Sequence, residues 1–166
     1  MKRYKLNNLF NCVFRQNIKL LFNIITILAP LQSEEGRRKC DTRFPFYVFK
    51  EMKWDLEHIR AIQNAKDEDE APRHGLDNLT LLDEKTNRGY KDAGFAEKRE
   101  KIREKEKQGR FVPVCTQNVF NKKYSSHAQS SADFYAKWSD ADGADYLDEI
   151  KSAIHAFLFT EADNEG

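Results

Sequence analysis

The run Trp54–Asp55–Leu56–Glu57–His58–Ile59 constrains this chain more than any other stretch, because an apolar segment ends there on an adjacent carboxylate and imidazole. Two further runs follow, Asp77–Asn78–Leu79–Thr80–Leu81–Leu82 and Thr86–Asn87–Arg88–Gly89. Glu-His and Asn-Leu pairs are common, so each run alone says little. The ordered set says more: an acid and a His close one apolar stretch, an Asn opens a second, and another Asn lies a few residues beyond it.

Those residue types suit the cutting of a phosphodiester. The reaction needs an activated water, a cation that stabilises charge on the phosphate and the leaving oxygen, and fixed geometry. Magnesium prefers oxygen ligands and keeps several waters, so one or two protein oxygens suffice. The Glu57 carboxylate and the Asn87 amide oxygen meet that need, with Mg2+ as the expected metal and Mn2+ as a substitute. Neutral His58 is a poor ligand for so hard a cation, but an ordinary pKa of about 6.5 suits a general base. Asn78 reads as a tether that pins the loop carrying His58. Neighbours in a regular strand face opposite ways. Glu57 and His58 reach one metal only if the strand ends or bulges, so irregular backbone is expected near His58. The competing reading of the same residues is a surface pair at a strand end, with Asn78 and Asn87 as simple turn residues.

Residues Trp54 to Gly89 resemble the ββα-metal core of HNH endonucleases, including that of the RNA-guided CRISPR nucleases, in the carboxylate-His-Ile and Asn-Arg-Gly runs. A narrower likeness covers most of residues 18 to 160. Phe22–Asn23, Arg43–Phe44–Pro45–Phe46, Asn78–Leu82, Asn87, Phe95, Lys98–Arg99, Phe111–Val112–Pro113, Cys115–Thr116 and Asn118–Val119–Phe120 are similar to the C-terminal domain of GmrSD-type, modification-dependent restriction enzymes. The resemblance implies an α+β fold with a ββα-metal HNH-like core wrapped by additional helices. It also implies a DNA endonuclease acting in restriction or defence against foreign or modified DNA. That family places a nucleotide-handling domain before this one, and 166 residues are too few to hold both. A separate nucleotide-binding subunit or domain is therefore an expected partner besides DNA. Two departures stand out. Ala61 occupies the place where many HNH proteins have a Pro three residues after the His, which is expected to loosen the following loop. Paired Cys-x-x-Cys zinc knuckles are missing, so packing alone is expected to hold the core.

Three stretches organise the chain: a core-packing helix in 1–31, the HNH-like core with a charged helix in 44–110, and a helical subregion of the same domain in 111–160. In the first, Leu6, Leu9, Phe10, Val13, Phe14, Ile18, Leu21, Ile25 and Leu28 recur at helical spacing and stop at Pro30. A membrane anchor is the weaker reading, because the apolar stretch is too short and Asn23 interrupts it. Phe44 to Lys50 reads either as extended structure or as a docking turn. The strands are expected at Lys53–Ile59 and Asn78–Leu82, separated by a long loop with the acidic run Asp67 to Glu70 and with His74, a surface His in its plainest reading. A short helix from Glu84 to Tyr90 would present Asn87. Ser139 with Asp142 three residues on predicts a capped start for a helix reaching Phe159, with Tyr146, Ile150, Ile154 and Phe157 as its buried stripe.

Ala93 to Gln108 predicts a charged helix stopped by Gly109. It is either a self-paired solvated face, with pairs such as Glu97 and Lys101, or a phosphate-positioning helix led by Lys98 and Arg99. Arg88 is a further candidate DNA contact. The net charge of +1 means that any DNA surface comes from local clustering. Cys12, Cys40 and Cys115 are odd in number and widely spaced, which suits free thiols in a reducing cytoplasm. His127 and His155 sit outside any constellation. Against the nuclease reading stands a non-catalytic remnant or interaction module of such an enzyme.

Overall fold

The computed structural model describes residues 14–26, 51–61, 75–90, 93–126 and 133–159. Phe44–Lys50, most of the 60–75 loop with its acidic run and His74, Cys12, Cys40, His127 and the ends of the chain lie outside the described residues.

The fold is α+β. Strand β1 (Trp54–His58) pairs antiparallel with β2 (Leu79–Asp83), in register from Trp54 opposite Asp83 to His58 opposite Leu79. Both strands fall within a residue of their expected bounds. β2 is buried on both faces from Leu79 to Leu82, because the helices cover the side that a two-stranded ribbon would otherwise expose. Helix α1, residues 14–26, precedes the strands, and the short α2 (Glu84–Arg88) follows β2 directly. Then come α3 (Phe95–Lys107), α4 (Val114–Phe120) and the long α5 (Asp140–Phe159).

The boundaries follow local chemistry. Helix α3 stops where Gly109 takes φ 66°, a left-handed conformation that suits a residue without Cβ. The Gly109 N–H donates to the Glu106 carbonyl at 3.0 Å and the Arg110 N–H to that of Lys105 at 2.9 Å, the paired bonds of a Schellman stop. At the start of α5 the Ser139 N–H donates to Asp142 Oδ2 at 2.7 Å, while the Asp142 N–H returns to Ser139 Oγ at 3.2 Å. That is the reciprocal cap expected from the Ser139–Asp142 spacing.

The core is rich in aromatic rings. Tyr146 stacks on Tyr124 with ring centres 5.2 Å apart and meets Phe22 and Trp138 edge-on, while Phe95 stacks on Phe120 at 5.4 Å. Ile59, Leu81, Ile102, Val119 and Cys115 fill the space between. Two expected stripes are corrected. On α1 the buried positions are Lys19, Phe22, Asn23 and Ile25, whereas Phe14 is exposed and Leu21 only half-buried. On α5, Tyr146 and Ile150 are buried, but Phe157 is 51% exposed because the helix runs on beyond its described packing partners.

Asp142 also receives Lys122 Nζ at 2.8 Å and Ser125 Oγ at 2.5 Å. Lys122 sits at φ 52°, an uncommon conformation for a residue with a Cβ, and this buried network holds it there. Burial acts to raise the Asp142 carboxyl, but the bonds from Lys122, Ser125 and Ser139 outweigh it and hold the group below the ordinary carboxylate range. A depressed native pKa adds stability above the unfolded value near 4, which is lost as pH falls through the native value. Asp142→Asn should therefore lower stability by about 3 kcal/mol at neutral pH, since it leaves Lys122 buried without a counter-charge. Urea unfolding at several pH values should show that gap narrowing below about pH 4. A gap that is constant with pH would mean the Asp142 charge contributes nothing.

Candidate active site

Strand β1 keeps its register to His58, and the chain then bends at Ile59 and Arg60. Pleating sends Asp55 and Glu57 to one face and Leu56 and His58 to the other. β1 stays regular through His58 and the backbone departs from strand geometry only at Ile59 and Arg60, so the irregularity expected near His58 comes after it and does not turn it towards Glu57. Glu57 turns inward and is 5% exposed. Lys98, from α3, is 0% exposed and brings its ammonium 2.5 Å from Glu57 Oε1. The same ammonium donates a hydrogen bond to the carbonyl oxygen of His58 at 2.6 Å. Its approach to Oε1 lacks hydrogen-bond geometry, so Lys98 meets that buried oxygen as an ion pair. Burial pushes the Glu57 carboxyl up, Lys98 opposes that rise, and the Asp55 charge adds to it.

Asn78 closes the one-turn 3-10 helix Leu76–Asn78 and is buried. Its Oδ1 accepts the Arg60 N–H at 2.8 Å, its Nδ2 donates to the Arg60 carbonyl at 3.3 Å, and its own carbonyl accepts the Ile59 N–H at 2.9 Å. The two residues after His58 are thus tied to the entrance of β2. The turn is fixed in its own right: Lys19 Nζ donates to the Leu76 carbonyl at 2.6 Å and Trp138 Nε1 to that of Asp77 at 3.2 Å. The expectation of a core held by packing alone is therefore corrected, while the loop that follows Ala61 lies outside the described residues. Polar clamps hold this turn together with the packing around it.

Asn87 rides on α2. Asp83 starts that helix by accepting the Thr86 N–H on Oδ1 at 2.9 Å. Asn87 Nδ2 then donates to Asp55 Oδ2 at 2.7 Å and to the Leu56 carbonyl at 3.3 Å. The side-chain oxygen carries no hydrogen bond among the described residues, and this orientation follows from the two acceptors that hold the nitrogen. Among the described residues no three His, Cys, Asp or Glu side chains gather. A metal at this site would rest on one or two protein oxygens, as magnesium tolerates.

The expected DNA contacts fare differently. Arg88 is exposed and pairs with Glu84 one turn earlier. Lys98 and Arg99 do not face solvent as a phosphate clamp requires. Lys98 is committed to Glu57 and His58, and Arg99 donates from Nε to the Phe120 carbonyl at 3.0 Å with its guanidinium over the Tyr135 ring. The buried face of α3 is Phe95, Lys98 and Ile102, a helical stripe with a lysine in a core position. Its solvent face does self-pair, with Glu97 and Lys101 2.7 Å apart.

Over residues 3–141 the chain matches the GmrSD restriction endonucleases, C-terminal domain. The chain belongs to that family. No curated protein and no solved structure matches it. Membership ties this GmrSD C-terminal domain to restriction endonucleases, with DNA as the substrate that such enzymes act on. Among the described residues no helix is long and apolar enough to cross a membrane.

Two residues at the site of this GmrSD domain escaped sequence reasoning. Asp55 precedes Glu57 by two, so strand periodicity alone places both carboxylates on one face. Lys19 interrupts an apolar helix, and the interruption marked a buried donor. Burial brings its amine down to about 7, although the Asp77 charge acts to raise it.

The Glu57–Lys98 pair predicts strong non-additivity. Lys98→Met leaves a buried charge uncompensated and should cost about 3–5 kcal/mol, whereas Glu57→Gln combined with Lys98→Met should cost clearly less. Chemical denaturation of the two single variants and the double variant measures the coupling. Additive losses would mean that the two side chains do not interact in solution.

Proposed function

We propose that this GmrSD C-terminal domain is a metal-dependent, HNH-type endonuclease that hydrolyses DNA phosphodiester bonds, in restriction of foreign or modified DNA. The observation that carries the reading is the bond from Asn87 to the strand bearing Glu57 and His58, 32 residues apart at Asp55. It joins the last motif of the ordered set to the first. Family membership supports the nuclease class.

The residues fit a hard cation. The Glu57 carboxylate is buried beside the Lys98 ammonium, and Asn87 gives its amide nitrogen to Asp55 while its oxygen carries no hydrogen bond among the described residues. The Glu57 carboxylate and the Asn87 oxygen would hold Mg2+ or Mn2+, which supplies charge stabilisation on the phosphate and leaving oxygen when bound. His58, at the end of β1, accepts the proton of the attacking water through a neutral imidazole nitrogen. Lys98 donates to the backbone carbonyl of His58 and Asn78 fixes Arg60, so the segment carrying the base is held on both sides. Asn78 thereby positions the base and does not itself meet the substrate. Arg88, exposed beside Asn87, is the candidate phosphate contact. The role fits a cytoplasmic protein working with a nucleotide-binding subunit or domain, and Cys115 is a buried free thiol in keeping with a reducing compartment.

One observation favours a second reading, that of a non-catalytic remnant or interaction module. The Lys98 ammonium lies where it neutralises Glu57, and a metal ligand needs that carboxylate for the cation.

Plasmid cleavage decides between the two readings. The active domain should nick DNA with Mg2+ or Mn2+, stop with a chelator, and lose roughly 10²–10⁴-fold in rate on His58→Ala while binding DNA and folding as before. Wild-type protein that binds DNA but never cleaves it under any divalent cation would support the second reading. Loss of folding in His58→Ala would make that residue structural.

A further inference from the structure

We infer that Asp55 is a positioning residue that sets the orientation of the Asn87 amide, so that its oxygen and not its nitrogen faces the metal. The inference rests on the metal-dependent reading above and assigns a role to a residue outside the Glu57–His58–Asn78–Asn87 set.

Both oxygens of Asp55 are engaged. Oδ1 accepts the N–H of Leu56 at 2.8 Å, which fixes the carboxylate against its own backbone. Oδ2 accepts Asn87 Nδ2 at 2.7 Å. Asp55 is thus not itself arranged as a ligand, although its carboxylate is the exposed one on this face of β1.

An amide presents two donors at one end and an acceptor at the other, and the ends differ little in size. A hard cation takes only the oxygen. Asn87 sits on a helix of five residues, so that helix offers little rigidity of its own. With the amide reversed, its oxygen would face Asp55 Oδ2 and the Leu56 carbonyl, acceptor against acceptor. The carboxylate makes that state repulsive and the observed state a charge-assisted hydrogen bond. Without Asp55, only the Leu56 carbonyl at 3.3 Å remains to choose between the two. The supporting groups behind metal ligands typically change metal affinity by 10–100-fold when removed.

The test uses Mn2+ alone, followed by electron paramagnetic resonance on the full chain without DNA, together with the side-chain amide resonance of Asn87. Asp55→Ala should weaken Mn2+ binding roughly 10–100-fold and release the Asn87 amide protons to rapid exchange. Asp55→Asn can turn its own amide to meet either end of Asn87 and no longer selects one, so it should weaken Mn2+ binding to a similar extent. In cleavage assays Asp55→Ala should raise the half-saturating metal concentration while the rate at saturating metal stays close to wild type. Mn2+ affinity unchanged by Asp55→Ala would overturn this inference and leave the metal reading standing. Mn2+ affinity kept at the wild-type level by Asp55→Asn would overturn it too, because that side chain pairs equally with either orientation of the Asn87 amide. Wild-type protein that binds no Mn2+ while its Asn87 amide stays fixed would overturn the metal reading and this inference with it.

Discussion

The contact between Lys98 and the end of β1 is the interaction on which the rest of the site depends. One ammonium serves two functions there. It compensates the Glu57 carboxylate that strand pleating drives inward, and it binds the backbone carbonyl of His58, the next residue. Helix α3 is therefore fastened to the strand at the point where the candidate base is presented. A buried charge pair is seldom a net source of stability, because desolvation offsets most of the attraction. Its value is specificity: only one placement of α3 satisfies Glu57 and the carbonyl together. Burial pushes the Glu57 carboxyl up, and Lys98 opposes that rise.

Further supports lie behind this contact. Asn78 brackets both backbone groups of Arg60, and the turn that carries it is gripped by Lys19 from α1 and Trp138 ahead of α5. Helix α5 passes the turn closely at Gly143, where an added Cβ would come within 3.3 Å of Asp77 Oδ2. Thr116 on α4 ties the other strand by donating to the Leu81 carbonyl at 2.5 Å. Elements remote in sequence thus converge on two short strands that have little independent stability.

Much of this was legible in the residues themselves. Both strands, the Gly109 stop and the Ser139 cap follow from period-two alternation, left-handed glycine and capping chemistry, all of which are local. The tertiary choices were not legible. Lys98 and Lys19 look like surface residues because lysine usually is one. Each instead occupies a core position on its helix, and only a partner across the fold, the Glu57–His58 segment or the Leu76 carbonyl, makes that tolerable. The same blindness hid Asp55: its acceptor role exists only because α2 folds back over β1. Phe157 erred in the opposite direction, since an apolar stripe predicts burial only as far as the packing partners extend.

Paramagnetic broadening by Mn2+ tests most directly whether the ordered motifs form one metal centre. The wild-type chain, titrated with sub-stoichiometric Mn2+ and read by amide resonances, should lose the signals of Glu57, His58 and the Asn87 side chain first. Broadening should fall off steeply towards the C-terminal end of α5. Loss centred elsewhere, for instance on the acidic run Asp67 to Glu70, with the signals around Asn87 intact, would contradict the account.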